Sequence, residues 1–261
     1  MTLQVLLVDD GRQYAPLVQR ELQQAFGFDV TFAPDPTVAR PLLQGQHFDV
    51  VVVDVLYQHL TDAYDERRLA GEVSLTRDKE FHISGLAVHP LVAKEGTGIV
   101  IWTGGEDNRG LHLLFAYQTF GIRSYCSKNA STIHPLAEAI EAAARGVPRR
   151  DPLLDVYLPP SDLGPVTELL FGKELWRGVW RALALGARGH DEIGKTIGYS
   201  AKYVRNRVSE MIDALRELNP GLAKKGDPLD VLTSYADRHW EFLLDDTVMR
   251  LFPPPGFRPT E

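Results

Sequence analysis

The chain has 261 residues, 44% hydrophobic and 24% charged, a net charge of −7 and a single cysteine. That balance excludes a disordered tail and a disulfide-stapled mini-protein, and it suits one large globular domain or two ordinary ones. No apolar run approaches the roughly 20 residues that cross a bilayer, and Met1-Thr2-Leu3-Gln4 leads into a strand without a basic leader, so the expectation is a cytoplasmic protein with no membrane partner.

In chain order, Val5-Leu6-Leu7-Val8 predicts a strand ending in Asp9-Asp10. Residues 14–26 carry a helical pattern through Leu17, Val18, Leu22, Ala25 and Phe26, closed by Gly27. A short strand at 30–33 precedes a helix at 36–44, with Asp35 as its cap and Pro36 early in it. Phe48-Asp49-Val50-Val51-Val52-Val53-Asp54 follows, and four valines in succession predict a strand covered on both faces, as in the middle of a parallel sheet. Ile99-Val100-Ile101-Trp102 is a further buried strand running into Thr103-Gly104-Gly105, and Ser124-Tyr125-Cys126-Ser127 is a last one ending at Lys128. Helices are expected at 85–94, 111–120 and 132–144. Strands alternating with helices predict a parallel, doubly wound α/β domain over 1–147. Residues 57–84 lack an apolar period and are rich in charge, which predicts a solvated insertion; a lid or partner surface beside Asp54 is the alternative. Cys126, in a buried strand, is expected to be a small hydrophobe, and the histidines lack the spacing of a zinc site.

Four strand ends bring Asp9, Asp10, Asp54, Thr103 and Lys128 to the carboxyl edge of the sheet, where open α/β folds place ligands. Crowded carboxylates repel unless a hard cation such as Mg²⁺ sits among them. Asp9, Asp10 and Asp54 are its candidate ligands. Asp54 is also a candidate nucleophile for a phosphoryl group, with Thr103 as hydroxyl donor and Lys128 as neutralising charge.

After a proline-rich linker at 148–166, the chain turns basic. Between Trp176 and Lys225 there are 10 Lys+Arg against 5 Asp+Glu, which suits local binding of a polyanion. A helix with apolar positions 175, 176, 179, 180, 183 and 184 is followed by a short helix at 190–197. Ser200 can cap a further helix reaching Leu218, with Val204, Val208, Met211, Ile212 and Leu215 inward and Lys202, Arg205, Asn206, Ser209 and Arg216 outward. Two helices joined by a glycine turn, the second basic outside, predict a helix-turn-helix. The apolar stretch 229–251 extends this block to about 252, and a proline-rich tail at 253–261 closes the chain.

Residues 1–147 resemble the receiver domain of two-component response regulators through Val8-Asp9-Asp10, Val53-Asp54, Trp102-Thr103-Gly104-Gly105 and Tyr125-Cys126-Ser127-Lys128. The resemblance implies a flavodoxin-like five-stranded sheet, Asp54 as phosphoacceptor with Mg²⁺, and Tyr125 as an aromatic switch that turns inward as Thr103 engages the phosphoryl group. Leu56-Tyr57-Gln58-His59 departs from the family by lacking its proline, and Gly85 resembles the displaced glycine of that loop. Residues 167–218 resemble the LuxR/NarL-type DNA-binding domain through Lys173-Glu174-Leu175, Leu185-Gly186-Ala187, Asp191-Glu192-Ile193-Gly194 and Tyr203-Val204-Arg205-Asn206-Arg207-Val208. This implies that the helix after Ser200 enters the major groove, with Arg205, Asn206 and Ser209 toward base edges and Lys202 and Arg207 toward phosphates.

The expected function is a homodimeric transcription regulator that binds double-stranded promoter DNA under control of Asp54 phosphorylation by a sensor histidine kinase or a small phosphodonor. It would act on no external substrate. One alternative is an orphan regulator of the same fold switched by a ligand or partner without phosphorylation. Another is a haloacid-dehalogenase-type hydrolase, which would want an aspartate where Leu56 stands.

Overall fold

The computed structural model describes residues 2–11, 13–73, 83–92, 96–105, 107–158, 164–219, 221–222 and 226–255. Two compact units divide the chain: residues 1–61 with 82–158, and residues 62–81 with 159–261. This division differs from the expected contiguous domains, because the middle of the insertion is grouped with the C-terminal unit and residues 148–158 with the sheet.

The first unit is organised on β1 (Gln4–Val8), β2 (Asp29–Ala33), β3 (Val50–Val53), β4 (Gly98–Thr103) and β5 (Ser124–Ser127). All pairings are parallel and the order is β2-β1-β3-β4-β5. This is the flavodoxin-like doubly wound order, with its switch point between β1 and β3. The four valines of β3 are buried, as a strand sheltered on both faces must be. One side of the sheet packs Val5, Leu7, Val50, Val52, Val100 and Trp102 against Val18, Leu22, Leu136 and Ile140. These come from α1 (Ala15–Phe26) and a later helix, His134–Ala144. Each such side chain removed from water contributes roughly 1.5–3 kcal/mol before the entropy of ordering is counted. α2 (Pro36–Gly45) starts at Asp35, whose carboxylate accepts from the amides of Thr37 at 2.7 Å and Val38 at 3.0 Å.

The register aligns the strand ends. Val8 pairs with Val53, Val53 with Ile101, and Thr103 with Ser127. The residues at or just after those ends are Asp9, Asp54, Thr103 and Lys128, so one edge collects them.

The segment after β3 does not remain a solvated loop. α3 (Gln58–Leu69) is a 12-residue helix. Tyr57, Thr61 and Tyr64 are buried at helical spacing, a stripe made of tyrosine and threonine rather than aliphatic residues, which is why no apolar period stands out in the sequence. Within the second unit Tyr64, 1% exposed, stacks on Trp240 with centroids 5.6 Å apart. The guanidinium of Arg68 lies 4.8 Å from the Trp240 ring and donates to the Ala184 carbonyl at 2.9 Å. Arg77, Asp78, Lys79 and Glu80 of the insertion lie outside the described residues. The helix expected at 85–94 is a 3-10 turn, Gly85–Val88, followed by α4 (His89–Val92). Pro90 falls in the first turn of α4, where a missing N–H costs no internal helix bond; Lys94 lies outside the described residues. α5 (Gly110–Thr119) and α6 (His134–Ala144) complete the unit.

The second unit contains α7 (Val166–Phe171), α8 (Glu174–Ala184), α9 (His190–Ile197), α10 (Ala201–Leu218), α11 (Pro228–Arg238), α12 (Trp240–Leu244) and α13 (Asp246–Leu251). The single apolar stretch expected at 229–251 is three helices. Asp227 caps α11 through the Leu229 amide at 2.8 Å, and Asp245 caps α13 through the Thr247 amide at 2.7 Å. Arg181 of α8 is fully buried and ties this extension down. Its Nε donates to the Leu243 carbonyl at 3.2 Å and its Nη1 to the Phe252 carbonyl at 2.7 Å. Among the described residues no helix is long and apolar enough to cross a membrane.

Replacing Arg181 by Ala opens a cavity and strips both carbonyls of their donor. The expected loss is about 3 kcal/mol, read as a lower urea midpoint for the helical unit.

Candidate functional site

Asp54 sits at the end of β3 and is 2% exposed. A buried carboxylate needs compensation, and four neighbours supply it. Its Oδ1 accepts from the Val55 amide at 2.6 Å, the Thr103 hydroxyl at 2.7 Å and Arg109 Nη1 at 2.8 Å. Its Oδ2 is held by the Lys128 ammonium. Lys128 Nζ also lies 2.6 Å from Asp9 Oδ2, and 5.1 Å from the centroid of Trp102. Arg109 Nη1 reaches Thr103 Oγ1 as well, at 2.7 Å.

The charges set the protonation states. Burial is the largest influence on Asp9 and raises its pKa; Lys128 opposes this, while the charge of Asp54 adds to it. Burial alone would lower the pKa of Lys128, but the charges of Asp54 and then Asp9, with their hydrogen bonds, outweigh it and raise it. The cluster therefore keeps its lysine charged and leaves Asp9 short of positive charge.

The sequence-expected residues fall into two groups. Asp9, Asp54, Thr103 and Lys128 meet directly. Asp10 is turned aside: its Oδ2 lies 3.1 Å from His59 Nδ1 and accepts from the His59 amide at 3.3 Å, and His59 Nε2 also lies 3.9 Å from Asp35 Oδ2. Among the described residues no group of three His, Cys, Asp or Glu side chains is assembled as a metal site. The expected trio of Asp9, Asp10 and Asp54 thus appears as a converging pair with its third member held by histidine. The donor chemistry still suits a hard cation, since two buried carboxylate oxygens converge on one positive charge.

The long insertion returns to this edge. Leu56 bridges Ser84 antiparallel, the Tyr57 amide donates to the Ile83 carbonyl at 3.2 Å, and the Gly85 amide donates to the Val55 carbonyl at 3.2 Å. A Cβ on Gly85 would lie 2.1 Å from the Asp54 carbonyl oxygen, so only glycine fits there. The glycine that resembled a displaced loop residue is therefore brought back beside Asp54. Tyr125 is buried, with its hydroxyl donating to the Ile122 carbonyl at 2.8 Å, which is an inward position. Cys126 is buried and burial pushes its thiol up to about 12, which suits a packing residue and not a nucleophile.

On α10, Ser200 accepts from the Tyr203 amide at 3.3 Å. Val204, Val208, Met211, Ile212 and Leu215 are all buried, and Lys202, Arg205, Asn206 and Ser209 are exposed. Gly194 of α9 lets the turn close, because a Cβ there would lie 2.5 Å from the Tyr199 carbonyl oxygen. Arg207 is already engaged: it bonds Glu210 and its guanidinium lies 5.2 Å from the Tyr203 ring. Glu210 also binds Lys173 at 2.6 Å, and that hydrogen bond is the largest influence on its pKa, which is lowered; burial opposes it, and Arg207 adds to the lowering.

Three residues of these sites escape a reading of the sequence. Arg109 stands six positions after Thr103 in a 3-10 turn, Asp107–Arg109; an excess of carboxylates over the single lysine was the sign that another cation was needed. His59 is recognisable only through its partner Asp10. Glu210 is signalled by its i, i+3 spacing from Arg207.

Asp9 offers a test of the electrostatics. Its folded pKa is raised, so its ionisation costs stability, and the group's favourable contribution is lost as pH rises through that raised value. Asp9→Asn should melt at a higher temperature than the wild type at pH 7, the difference shrinking as pH falls toward the ordinary carboxylate range. A lower melting temperature at pH 7 would contradict it.

No family model matches the chain, and no curated protein matches it. Solved structures do. A structure of the two-component response regulator RcsB bound to DNA covers 91% of this chain and 99% of its own at 18% identity, with a TM-score of 0.51. The receiver domain of Francisella response regulator 1452 covers 56% of this chain and 98% of its own at 18% identity, TM-score 0.39. Response regulator TrrA of Thermotoga maritima, in complex with Mg²⁺ and BeF, covers 55% and 99% at 18% identity, TM-score 0.38. The strand order and the likeness along nearly the whole chain agree: this protein shares the fold of that response-regulator structure, a five-stranded doubly wound parallel sheet followed by a helical unit that contains the pair α9–α10.

Proposed function

We propose that the chain is a transcription regulator in which phosphorylation of Asp54 controls promoter binding by α10. The observation that carries this reading is the meeting of Asp9, Asp54, Thr103 and Lys128 at one sheet edge. A carboxylate oxygen of Asp54 attacks the phosphorus of a donor; a new O–P bond forms, the bond to the leaving group breaks, and the leaving group keeps its electron pair. Oδ1 already accepts three hydrogen bonds, so Oδ2 is the attacking atom, freed as Lys128 shifts to a phosphoryl oxygen. Thr103 donates its hydroxyl hydrogen to the same group. Asp9 and Asp54, with Asp10 once released from His59, would hold Mg²⁺, which when bound neutralises phosphoryl charge. The donor is a sensor histidine kinase or a small acyl phosphate. The chemistry is self-modification, with no external substrate turned over.

On DNA, Arg205, Asn206 and Ser209 face base edges and Lys202 a phosphate. Arg207 reaches phosphate only after leaving Glu210. Paired half-sites call for a homodimer. The lone buried cysteine suits a reducing, cytoplasmic setting. A second reading, a regulator switched by a ligand or partner without phosphorylation, is favoured by three features: Asp54 is buried, Thr103 is already engaged and Tyr125 is already inward.

Incubation with acetyl phosphate and Mg²⁺ followed by intact mass should give one phosphoryl adduct that Asp54→Asn lacks; absence of the adduct in the wild type favours the second reading. For DNA, Arg205→Ala should cost about 1–3 kcal/mol and relax discrimination at one base pair, whereas Lys202→Ala should weaken all sequences alike and reduce the salt slope by about one. Equal losses on specific and random DNA for Arg205→Ala would remove it from base readout.

A further inference from the structure

Arg109 joins two places that the proposed chemistry leaves separate. Its side chain is 14% exposed, and a single nitrogen bridges Asp54 Oδ1 and Thr103 Oγ1. The backbone that carries it is one short turn, Asp107–Arg109, followed at once by Gly110. Tyr157 is seated against the chain on both sides of that turn. Its hydroxyl donates to the Gly105 carbonyl. Its ring lies against Gly110, where a Cβ would come within 3.1 Å of a ring carbon.

Tyr157 belongs to another short turn, Asp155–Tyr157, in the stretch that leads out of the first unit. That stretch is fastened to the same sheet edge. The Tyr125 amide donates to the Arg149 carbonyl at 2.8 Å, and the Ser127 amide to the Asp151 carboxylate at 2.8 Å. Arg150 pairs with Asp155, and Leu154 is buried. The linker is thus held at β5, next to Lys128, and at the turn carrying Arg109.

We propose that Arg109 is a positioning residue that reads the charge on Asp54 and that Tyr157 is its output, so that the state of Asp54 sets how firmly residues 155–158 are held. This deepens the reading of Asp54 as the regulatory site and rests on it. Phosphorylation replaces the single negative charge of the carboxylate by a phosphoryl group carrying about 1.5–2, and places the charged oxygens beyond the carboxylate. Arg109 follows those oxygens outward. Its one-turn backbone moves with it, and the seat of the Tyr157 ring and hydroxyl changes. The device needs no contact between the two units, because every group named lies within the first.

Hydrogen exchange on the full chain tests the coupling without any phosphodonor. Asp54→Ala and Arg109→Ala should each speed exchange in a peptide spanning 151–158 by about threefold or more, and the double variant should exchange no faster than either single one, because both act along one path. Tyr157→Phe, which removes only the hydroxyl bond to Gly105, should speed it too, and Arg109→Lys should restore part of the protection. Wild-type protection in Arg109→Ala or in Tyr157→Phe, or additive gains in the double variant, overturns the proposal. A second arm adds acetyl phosphate and Mg²⁺. Tyr157→Phe should take the phosphoryl group as the wild type does, while its phosphorylation-dependent change in DNA affinity falls by about fivefold or more; an undiminished change overturns the coupling. Should the wild type accept no phosphoryl group, the phosphorylation reading fails alone, and the exchange arm still decides between Arg109 as a coupler and Arg109 as a bystander.

Discussion

The first unit depends on keeping one negative charge buried at the end of a valine strand. Removing a carboxylate from water costs several kcal/mol unless opposite charge and hydrogen bonds replace the lost hydration. Asp54 has an amide, a hydroxyl, a guanidinium and an ammonium around it. The amide is that of the next residue, Val55; the hydroxyl, the guanidinium and the ammonium come from residues 49 or more positions away, and they meet Asp54 because the parallel register brings the ends of β3, β4 and β5 level. A slip of one residue in β4 would turn Thr103 to the opposite face and leave Asp54 without its hydroxyl donor. The chemistry and the sheet register are the same constraint viewed at two scales.

The compensation is uneven in a way that suits a switch. Asp54 is well satisfied, whereas Asp9 carries a raised pKa and Asp10 leans on a histidine. The donors that hold Asp54 are also the groups that a phosphoryl oxygen would recruit under the proposed reading. Close packing lies behind it: the β3 valines, Trp102 and Tyr125 are all buried.

The helical unit meets a different requirement. Its framework of α8, α9 and α10 leaves apolar surface that α11 to α13 cover, and Arg181 anchors the last of these by taking up backbone carbonyls that a helix end leaves unsatisfied. The same logic recruits part of the insertion, with Tyr64 on Trp240 and Arg68 on the Ala184 carbonyl. A segment rich in charge thus contributes one aromatic and one cationic contact to a folded core.

Local chemistry explains what was legible in the chain. Continuous apolar runs have no polar face, so β1, β3 and β4 could be read directly, and with them the strand ends bearing Asp9, Asp54 and Thr103. Asp35 and Ser200 were readable as caps because a short side chain bonds an amide two or three residues on. The buried stripe of α10 followed from its period. The α3 stripe was not legible, being built from Tyr57, Thr61 and Tyr64, and the single stretch at 229–251 hid breaks that Asp245 and His239 create.

By itself the sequence determined the five strands and the helices with an aliphatic period, how the strands alternate with helices, and which residue types gather at the sheet edge and on the outer face of α10. Those are properties of neighbours a few residues apart, set by periodicity, caps and propensity. Only the tertiary structure decided that Arg109 bridges Asp54 and Thr103, that His59 holds Asp10, that Gly85 returns beside Asp54 after a long detour, and that Tyr157 rests on the turn of Arg109. Each of those pairings joins residues distant in the chain, and its geometry depends on where packing places two backbones, which no local pattern encodes.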